Sequence, residues 1–137
     1  PAGSVLGCAD KARETKARRI RKAWGGGMRQ AGYMAAAGVY ALDHHILRLK
    51  GDHLRAKTLA DVVKSLPFVK SMMPTDTNII VFELASGISA ETFISKIGEY
   101  QVKVLKFSPT QIRMVTHLDI DDEKISHAIE VLKKIRF

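Results

Sequence analysis

The spacing of the apolar residues changes at Pro67, and this change constrains the fold more than any other feature of the sequence. Before Pro67 the apolar residues recur about every 3.6 positions, which predicts helices; after it they recur mostly every second position, which predicts strands. Proline itself stops a helix, because it has no backbone N–H and its ring clashes with the preceding turn. We therefore expect a helical first half and a sheet in the second half.

Three helices are predicted before Pro67, over residues 8–23, 28–49 and 52–66. The first is charged and ends at three consecutive glycines, and the second is rich in alanine and glycine. The third has one apolar face, which predicts that it packs on a core. That face comprises Leu54, Leu59, Val62, Val63 and Leu66.

After Pro67 the sequence predicts strands over residues 68–73, 77–84, 102–107 and 111–117. A helix is predicted from an N-cap at Ser89 to about Tyr100, and a last helix has acidic residues in its first turn, from Asp121. The fold class is therefore α+β: a small, mostly antiparallel sheet with helices on one face, preceded by long helices. The predicted core includes Ile79, Val81, Phe93, Ile97, Leu105, Ile112, Met114, Ile129 and Leu132.

Positive charge is concentrated at the start of the chain. Residues 1–29 hold eight basic and two acidic side chains, a net charge of +6 out of +8 for the whole chain. Such a segment suits a phosphate ligand, an acidic protein surface or nucleic acid, and it is also typical of a solvated helix. Nucleic acid is disfavoured, because Trp24 is the one aromatic residue among these charges and no nucleic-acid-binding motif is present.

Other classes are excluded more simply. The chain has no apolar run long enough to span a membrane, and neither histidine nor cysteine spacing fits a metal site. The single cysteine, Cys8, excludes a disulfide framework and favours a reducing compartment, so we expect a cytoplasmic protein. We expect Cys8 to be small and partly buried rather than reactive.

The segment from Lys22 to Arg29 is the first candidate site. Three glycines separate these two cations, and we expect them to open the second helix, whose N-terminal N–H groups attract anions. The spacing matches no known phosphate-binding loop, so the residues alone leave two interpretations open: an anion site, or a glycine hinge between helices.

Arg113 is the second candidate. In a strand, Ile112 and Met114 share one face and Arg113 points the other way. Its planar guanidinium suits a carboxylate, and the alternative is an arginine on a solvent-facing sheet surface.

Taken in order, several segments resemble one family, the low-specificity or allo-threonine aldolases of the beta-eliminating lyase group. These are enzymes that use pyridoxal 5'-phosphate (PLP) and have the aspartate-aminotransferase fold, fold type I. The matching segments are Pro1-Ala2-Gly3-Ser4-Val5-Leu6, Ala17-Arg18-Arg19-Ile20-Arg21-Lys22, Gly25-Gly26-Gly27-Met28-Arg29-Gln30-Ala31-Gly32, Ala35-Ala36-Ala37-Gly38-Val39-Tyr40-Ala41-Leu42, Arg48-Leu49, Asp52-His53, Asp76-Thr77-Asn78 and Ile112-Arg113-Met114-Val115-Thr116-His117-Leu118-Asp119.

The resemblance implies roles for the candidate residues. Lys22 and Arg29 would bind the cofactor in its phosphate region, and Arg113 would bind the substrate carboxylate. The lysine that forms the Schiff base with PLP lies upstream of the Pro1 position in the family, so no catalytic residue and no covalently bound cofactor are expected in this chain, which we predict to be inactive alone. No metal ligand is implied.

The resemblance also implies an organisation and partners. Residues 1–50 would be the end of a large domain with linking and interface helices, and residues 51–137 the C-terminal small domain. The expected partners are the N-terminal PLP-binding part, further copies of the chain in a dimer or tetramer, and a small amino acid, with neither nucleic acid nor membrane. The complete enzyme would cleave threonine or allo-threonine reversibly to glycine and acetaldehyde. The alternative is a non-catalytic binding or assembly module that kept the fold without the Schiff-base lysine.

Overall fold

The computed structural model describes residues 6–137. These divide into two units, one ending at Leu47 and the other running from Arg48 to Phe137. No helix in this range is long and apolar enough to cross a membrane. Residues 1–5, which begin the resemblance, lie outside the described range.

The secondary-structure elements are, in order, α1 (Lys11–Ala23), α2 (Gly32–His44), α3 (Leu49–Lys64), β1 (Val69–Met72), β2 (Ile79–Leu84), α4 (Ala90–Gly98), β3 (Leu105–Ser108), β4 (Gln111–Val115) and α5 (Asp122–Lys134).

The first unit consists of α1 and α2. Helix α1 begins at an N-cap, where the Asp10 carboxylate accepts a hydrogen bond from the Arg13 N–H at 2.8 Å. Along α1, Glu14 pairs with Lys11 and Arg18 at 2.9 and 2.8 Å, and the hydrogen bond from Lys11 lowers the pKa of Glu14. Neither α1 nor α2 buries a side chain within the described residues.

The second helix is shorter than the sequence predicts, because residues 28–49 do not form one continuous helix. Gln30 has a backbone φ of 50°, a left-handed conformation that an α-helix cannot contain, so α2 begins only at Gly32. It ends at His44, and a turn leads to α3, which begins at Leu49 rather than at residue 52.

The second unit contains a four-stranded antiparallel sheet in the order β1-β2-β4-β3. Ile80 and Phe82 of β2 lie opposite Met114 and Ile112 of β4, respectively, so all four side chains point to the same face. Helices α3, α4 and α5 contribute apolar side chains to that face. The predicted α+β fold, with a small antiparallel sheet and helices on one face, is confirmed.

The hydrophobic core lies between this face and the three helices. The rings of Phe82 and Phe93 are 5.7 Å apart, nearly perpendicular, and both side chains are fully buried. The core residues are Ala56, Leu59, Ala60, Val63, Leu66, Phe68, Ile80, Phe82, Leu84, Ala90, Phe93, Ile97, Ile112, Met114, Ile125, Val131, Leu132 and Ile135.

Helix α4 begins at the N-cap predicted for it, Ser89, and α5 begins at Asp121, which the sequence predicted only as an acidic first-turn residue. The Ser89 hydroxyl accepts a hydrogen bond from the Thr92 N–H at 3.1 Å, and the Asp121 carboxylate accepts one from the Lys124 N–H at 2.9 Å. The latter bond lowers the pKa of Asp121, which keeps its carboxylate charged at the positive end of α5. These caps set the starts of α4 and α5.

Some burial predictions are wrong. Leu105 is 59% exposed, because it lies opposite Arg113 and therefore on the sheet face away from the helices. Leu54 is 66% exposed, since it lies on the outer side of α3, five residues from the buried Leu59. Ile79 and Ile129 are only partly buried, and Cys8 is exposed rather than partly buried.

We predict that replacing Phe93 with alanine lowers the free energy of unfolding by about 3–5 kcal/mol, because it empties a filled position in the core. The matched control is Phe107→Ala, which removes a half-exposed phenylalanine from the edge strand β3 and should cost much less. Chemical denaturation of both variants measures the difference. Equal shifts for the two variants would mean that Phe93 is not a core residue.

Candidate functional site

Arg113 occupies the middle of β4, on the sheet face that the helices leave uncovered. Its neighbours in sequence, Ile112 and Met114, are 0% and 6% exposed and point into the core, so Arg113 points to the opposite face. Across the sheet it lies between Val81 of β2 and Leu105 of β3. Because β4 pairs with β2 on one side and with β3 on the other, the Arg113 backbone is fixed from both sides, and the residue is half-buried.

The Arg113 guanidinium makes no ion pair with any residue that the structure describes. Glu83, the acid on the same sheet face, is already occupied: it accepts hydrogen bonds from Lys70 Nζ at 2.8 Å and Ser71 Oγ at 3.2 Å. The bond from Lys70 lowers the pKa of Glu83, so this carboxylate stays ionised and paired with lysine. No carboxylate among the described residues therefore competes with a bound anion for the Arg113 guanidinium.

The surroundings of Arg113 favour binding of a carboxylate. Val81 is 8% exposed, and Leu105 adds an apolar side chain on the other side. Apolar neighbours lower the local dielectric constant and strengthen an ion pair, and a planar guanidinium can bind a carboxylate through two parallel hydrogen bonds. The geometry therefore has the features of a carboxylate clamp.

The three glycines close α1 and do not open α2. The Gly25 N–H donates to the Lys22 carbonyl at 3.2 Å and the Gly26 N–H to the Arg21 carbonyl at 2.8 Å, with Gly25 in the left-handed region at φ 83°. This is the Schellman pattern of a helix C-terminus. The two N–H groups are used inside the helix, so the expectation that they attract an anion at a helix start is wrong.

In the segment from Lys22 to Arg29, the groups that could still bind an anion are the side chains of these two residues. Lys22 and Arg29 are both exposed, and neither has an ion-pair partner among the described residues. A Cβ added at Gly27 would lie 3.3 Å from Lys22 Cγ, so the lysine stem runs along the glycine segment. Lys22 and Arg29 belong to the first unit and Arg113 to the second.

A buried carboxylate, Asp52, is the feature that the sequence analysis missed. It is 1% exposed, in the first turns of α3. Its Oδ1 accepts a hydrogen bond from Arg48 Nη2 at 2.8 Å and lies 3.8 Å from Arg55 Nη1. Two arginines thus neutralise one buried charge, as burial of an ionised group requires.

The network extends from Asp52 to two other segments. The buried Thr116 hydroxyl, just past β4, donates to the Asp52 carbonyl at 2.8 Å. Asn78 Nδ2 donates to the Thr116 carbonyl at 2.6 Å, and the Thr116 N–H donates to the Asn78 carbonyl at 3.0 Å. Arg55 Nε donates to Asp122 at 2.6 Å, which raises the pKa of Arg55. The starts of α3, α5 and β2 are therefore tied to the end of β4.

The sequence does contain a signal for this network. Asp52 precedes the buried Ala56 by four residues, so it lies on the core side of α3, and a charged residue at such a position needs partners. Arginines four residues before it and three after it are within reach on the same helix. The links to Thr116 and Asn78 cross 64 and 38 residues of chain and could not be predicted from local spacing.

Comparison with known proteins gives consistent family matches. The Beta-eliminating lyase family matches residues 1–86. A low specificity L-threonine aldolase from Escherichia coli is 36% identical over 92% of this chain and 36% of that protein. A probable low-specificity L-threonine aldolase 2 from Arabidopsis thaliana is 32% identical over 98% of this chain and 39% of that protein. The chain thus spans less than two fifths of the length of these relatives.

Solved structures share part of the fold. The cystine C-S lyase C-DES, in complex with its reaction product cysteine persulfide, superposes with a TM-score of 0.53 and 20% identity, over 62% of this chain and 23% of that one. A mutant of C-DES with glycine covalently linked to its PLP cofactor gives a TM-score of 0.55 and 21% identity, over 65% and 24%. At this identity the likeness supports the α+β fold and carries no conclusion about activity.

We predict that Thr116→Val, which keeps the shape of the side chain and removes its hydroxyl, lowers the free energy of unfolding by about 1–2 kcal/mol. The lost bond is the one to the Asp52 carbonyl. Thr110→Val is the matched control, because Thr110 is exposed and its side chain makes no hydrogen bond among the described residues. If both variants unfold at the same denaturant concentration, the Thr116 hydroxyl contributes nothing to stability.

Proposed function

This chain belongs to the beta-eliminating lyase family, and on that premise we propose that it is the C-terminal part of a PLP-dependent low-specificity threonine aldolase. Residues 51–137 would form the small domain of that enzyme, and residues 1–50 the end of its large domain with interface helices. The complete enzyme would cleave threonine or allo-threonine to glycine and acetaldehyde, in the cytoplasm.

The observation that carries the proposal is Arg113, a half-buried arginine with no internal ion-pair partner among the described residues. In the proposed reaction it binds the carboxylate of the amino acid. Val81, which is 8% exposed and lies opposite Arg113, is an apolar neighbour that strengthens this contact. A carboxylate fixed in this way orients the substrate, so that the bond to be broken is held in one direction.

The donor set of the first unit fits the phosphate group of PLP. Lys22 and Arg29 are cations whose side chains are exposed and unpaired among the described residues, and such groups form charge-assisted hydrogen bonds with phosphate. We infer that they bind the phosphate region. When bound, the cofactor supplies a conjugated ring that takes up the electron pair released as the substrate's carbon–carbon bond breaks.

Other copies of the chain are the second class of proposed partner. Trp24, Met28 and Tyr33 are 86%, 67% and 89% exposed, which is unusual for large apolar side chains on an isolated soluble surface. The segment that joins α1 to α2, with the start of α2, therefore suits an interface within the complete enzyme and between its subunits. Lys22 and Arg29 belong to the same exposed stretch of chain, which supports a phosphate region formed where parts of the enzyme meet.

The reading frame upstream of Pro1 gives the first test. An in-frame lysine within a few residues, followed upstream by a PLP-binding domain, would establish the proposed enzyme. A start codon at that point would favour the non-catalytic module instead.

In the protein that joins this chain to its PLP-binding part, we predict that Arg113→Gln raises the KM for threonine about tenfold or more, with a smaller change in kcat. The reason is the loss of a charge-assisted bond to the carboxylate. Arg136→Gln is the matched control, since Arg136 is exposed near the C-terminus and bonds to the carbonyls of Lys133 and Ile135. An unchanged KM for Arg113→Gln would remove the assigned role.

For the chain alone, we predict self-association through residues 20–42, because the apolar side chains of this segment have no cover. Size-exclusion chromatography with light scattering should give a dimer or larger species. Tyr33→Lys should shift it towards the monomer, and Tyr100→Lys, in the second unit, should not. A monomer at all concentrations would show that the segment needs no partner.

A further inference from the structure

A cavity of about 350 Å³ lies within the second unit, where the end of β4 meets α3 and α5. We call it the β4-end cavity. Its volume is at the lower end of the range found for sites that bind small molecules. The residues that line it are Leu59, Gln101, Val102, Lys103, Met114, Val115, Thr116, His117, Ile120, Lys124, Ile125, His127 and Ala128.

The floor of the cavity is apolar and reaches the core. Leu59, Met114, Ile125 and Ala128 line it, and none of them is more than 8% exposed. Val102 and Ile120, which are partly buried against the core, add further apolar surface. An apolar group of a ligand would therefore lose its contact with water on entering, which favours binding.

The charged groups that line the cavity at neutral pH, Lys103 and Lys124, are both cations. Lys103, His117, Lys124 and His127 line it, and no acidic residue does. Clefts with one sign of charge and low-dielectric walls concentrate ions of the opposite sign. The cavity is therefore suited to an anion.

Three of these four groups already have partners. Lys124 Nζ lies 3.0 Å from the Asp121 carboxylate and donates to the Asp119 carbonyl at 2.8 Å. His117 Nδ1 lies 3.6 Å from Asp119, and His127 Nε2 lies 3.0 Å from the Tyr100 carbonyl. Lys103 has no ion-pair partner among the described residues, so it is the cation available to a ligand.

The backbone conformation before Lys103 brings it to this position. Gln101 has a φ of 62°, in the left-handed region that residues other than glycine seldom adopt. Its N–H donates to the Gly98 carbonyl at 2.9 Å at the end of α4, and the chain then turns so that Gln101, Val102 and Lys103 all line the cavity. A left-handed residue is common just after the C-terminus of a helix, and here it sets the direction in which the chain leaves α4.

We propose that the β4-end cavity binds a small organic carboxylate with an apolar body, whose carboxylate pairs with Lys103 and whose apolar part lies against Met114 and Ala128. Met114 and Arg113 are adjacent in β4 and point to opposite sheet faces, so this ligand and the one assigned to Arg113 occupy opposite faces. The proposal does not depend on the aldolase reaction, because it concerns the second unit's own cavity.

The test is carbon-13 NMR of the chain labelled at its methionine methyl groups, with isocaproate as the probe. The chain has five methionines, and Met114 is the one that lines the cavity. We expect isocaproate to shift the Met114 resonance saturably and to leave Met28, Met34, Met72 and Met73 as internal references. The neutral amide of the same acid, isocaproamide, should bind at least fivefold more weakly, because it lacks the charge.

Two variants test the two halves of the proposal. Lys103→Gln should weaken isocaproate binding about fivefold or more and leave isocaproamide binding unchanged. Lys133→Gln, on the exposed side of α5, is the matched control and should bind isocaproate as the original chain does. Ala128→Leu should abolish binding of both probes by filling the floor, and if this variant fails to fold, the Lys103 and Lys133 pair still decides.

The proposal is overturned if isocaproate leaves the Met114 resonance unshifted at millimolar concentration. Equal affinities for isocaproate and isocaproamide, or equal affinities of the Lys103 and Lys133 variants for isocaproate, would also overturn it, because either result removes the role of the Lys103 charge. Isocaproate shifts that appear at the other methionines and not at Met114 would place binding elsewhere.

Discussion

Burial of one sheet face beneath α3, α4 and α5 is the constraint on which the other features of the second unit depend. Since side chains alternate along a strand, packing Ile112 and Met114 into the core obliges Arg113 to point to the uncovered face. A shift of β4 by one residue would bury the arginine and expose both apolar side chains, at a large cost. The register of β4 against β2, from Ile79–Val115 to Glu83–Gln111, therefore fixes the position of the candidate carboxylate clamp through packing alone.

The hydrogen bonds around Asp52 hold segments that hydrophobic packing alone does not fix, namely the residues just after β4 and just before β2. A buried carboxylate is costly unless it is paired, and here Arg48 and Arg55 pair with it from the same helix. Because Thr116 and Asn78 join the network through hydrogen bonds, the end of β4 and the start of β2 are held to the first turns of α3. Three of the segments that resemble the threonine aldolases thus meet at this network; they contain Asp52, Asn78 and Thr116. The hydrogen bonds explain why polar residues occupy these three positions.

The sequence was sufficient for the parts of the structure that depend on local chemistry. The change of apolar spacing at Pro67 predicted the α+β fold. The N-cap at Ser89 and the acidic residues from Asp121 predicted where α4 and α5 begin, and the alternation around Arg113 predicted the two faces of β4. It failed where tertiary pairing decides: Leu105 was expected in the core, and its pairing with Arg113 puts it on the open face. It also failed at the glycine run, because the left-handed Gln30, which delays α2, has no recognisable local signal. The roles of Lys22, Arg29 and Arg113 in binding remain predictions.

The two units differ in how much of their apolar surface they bury and in how many of their charges they pair. The second encloses a core and pairs its buried charge, and it leaves Arg113 on an open sheet face without an ion-pair partner among the described residues. The first carries most of the net positive charge and buries no side chain within the described residues. Helices with so little apolar burial gain little stability from packing within their own unit, which is the physical basis for the interface proposed for them. Lys22 and Arg29, which have no ion-pair partner among the described residues, belong to this first unit. Because α1 and α2 bury no side chain, the first unit has no core of its own within the described residues, and Lys22 and Arg29 remain exposed, as the proposed phosphate contact requires.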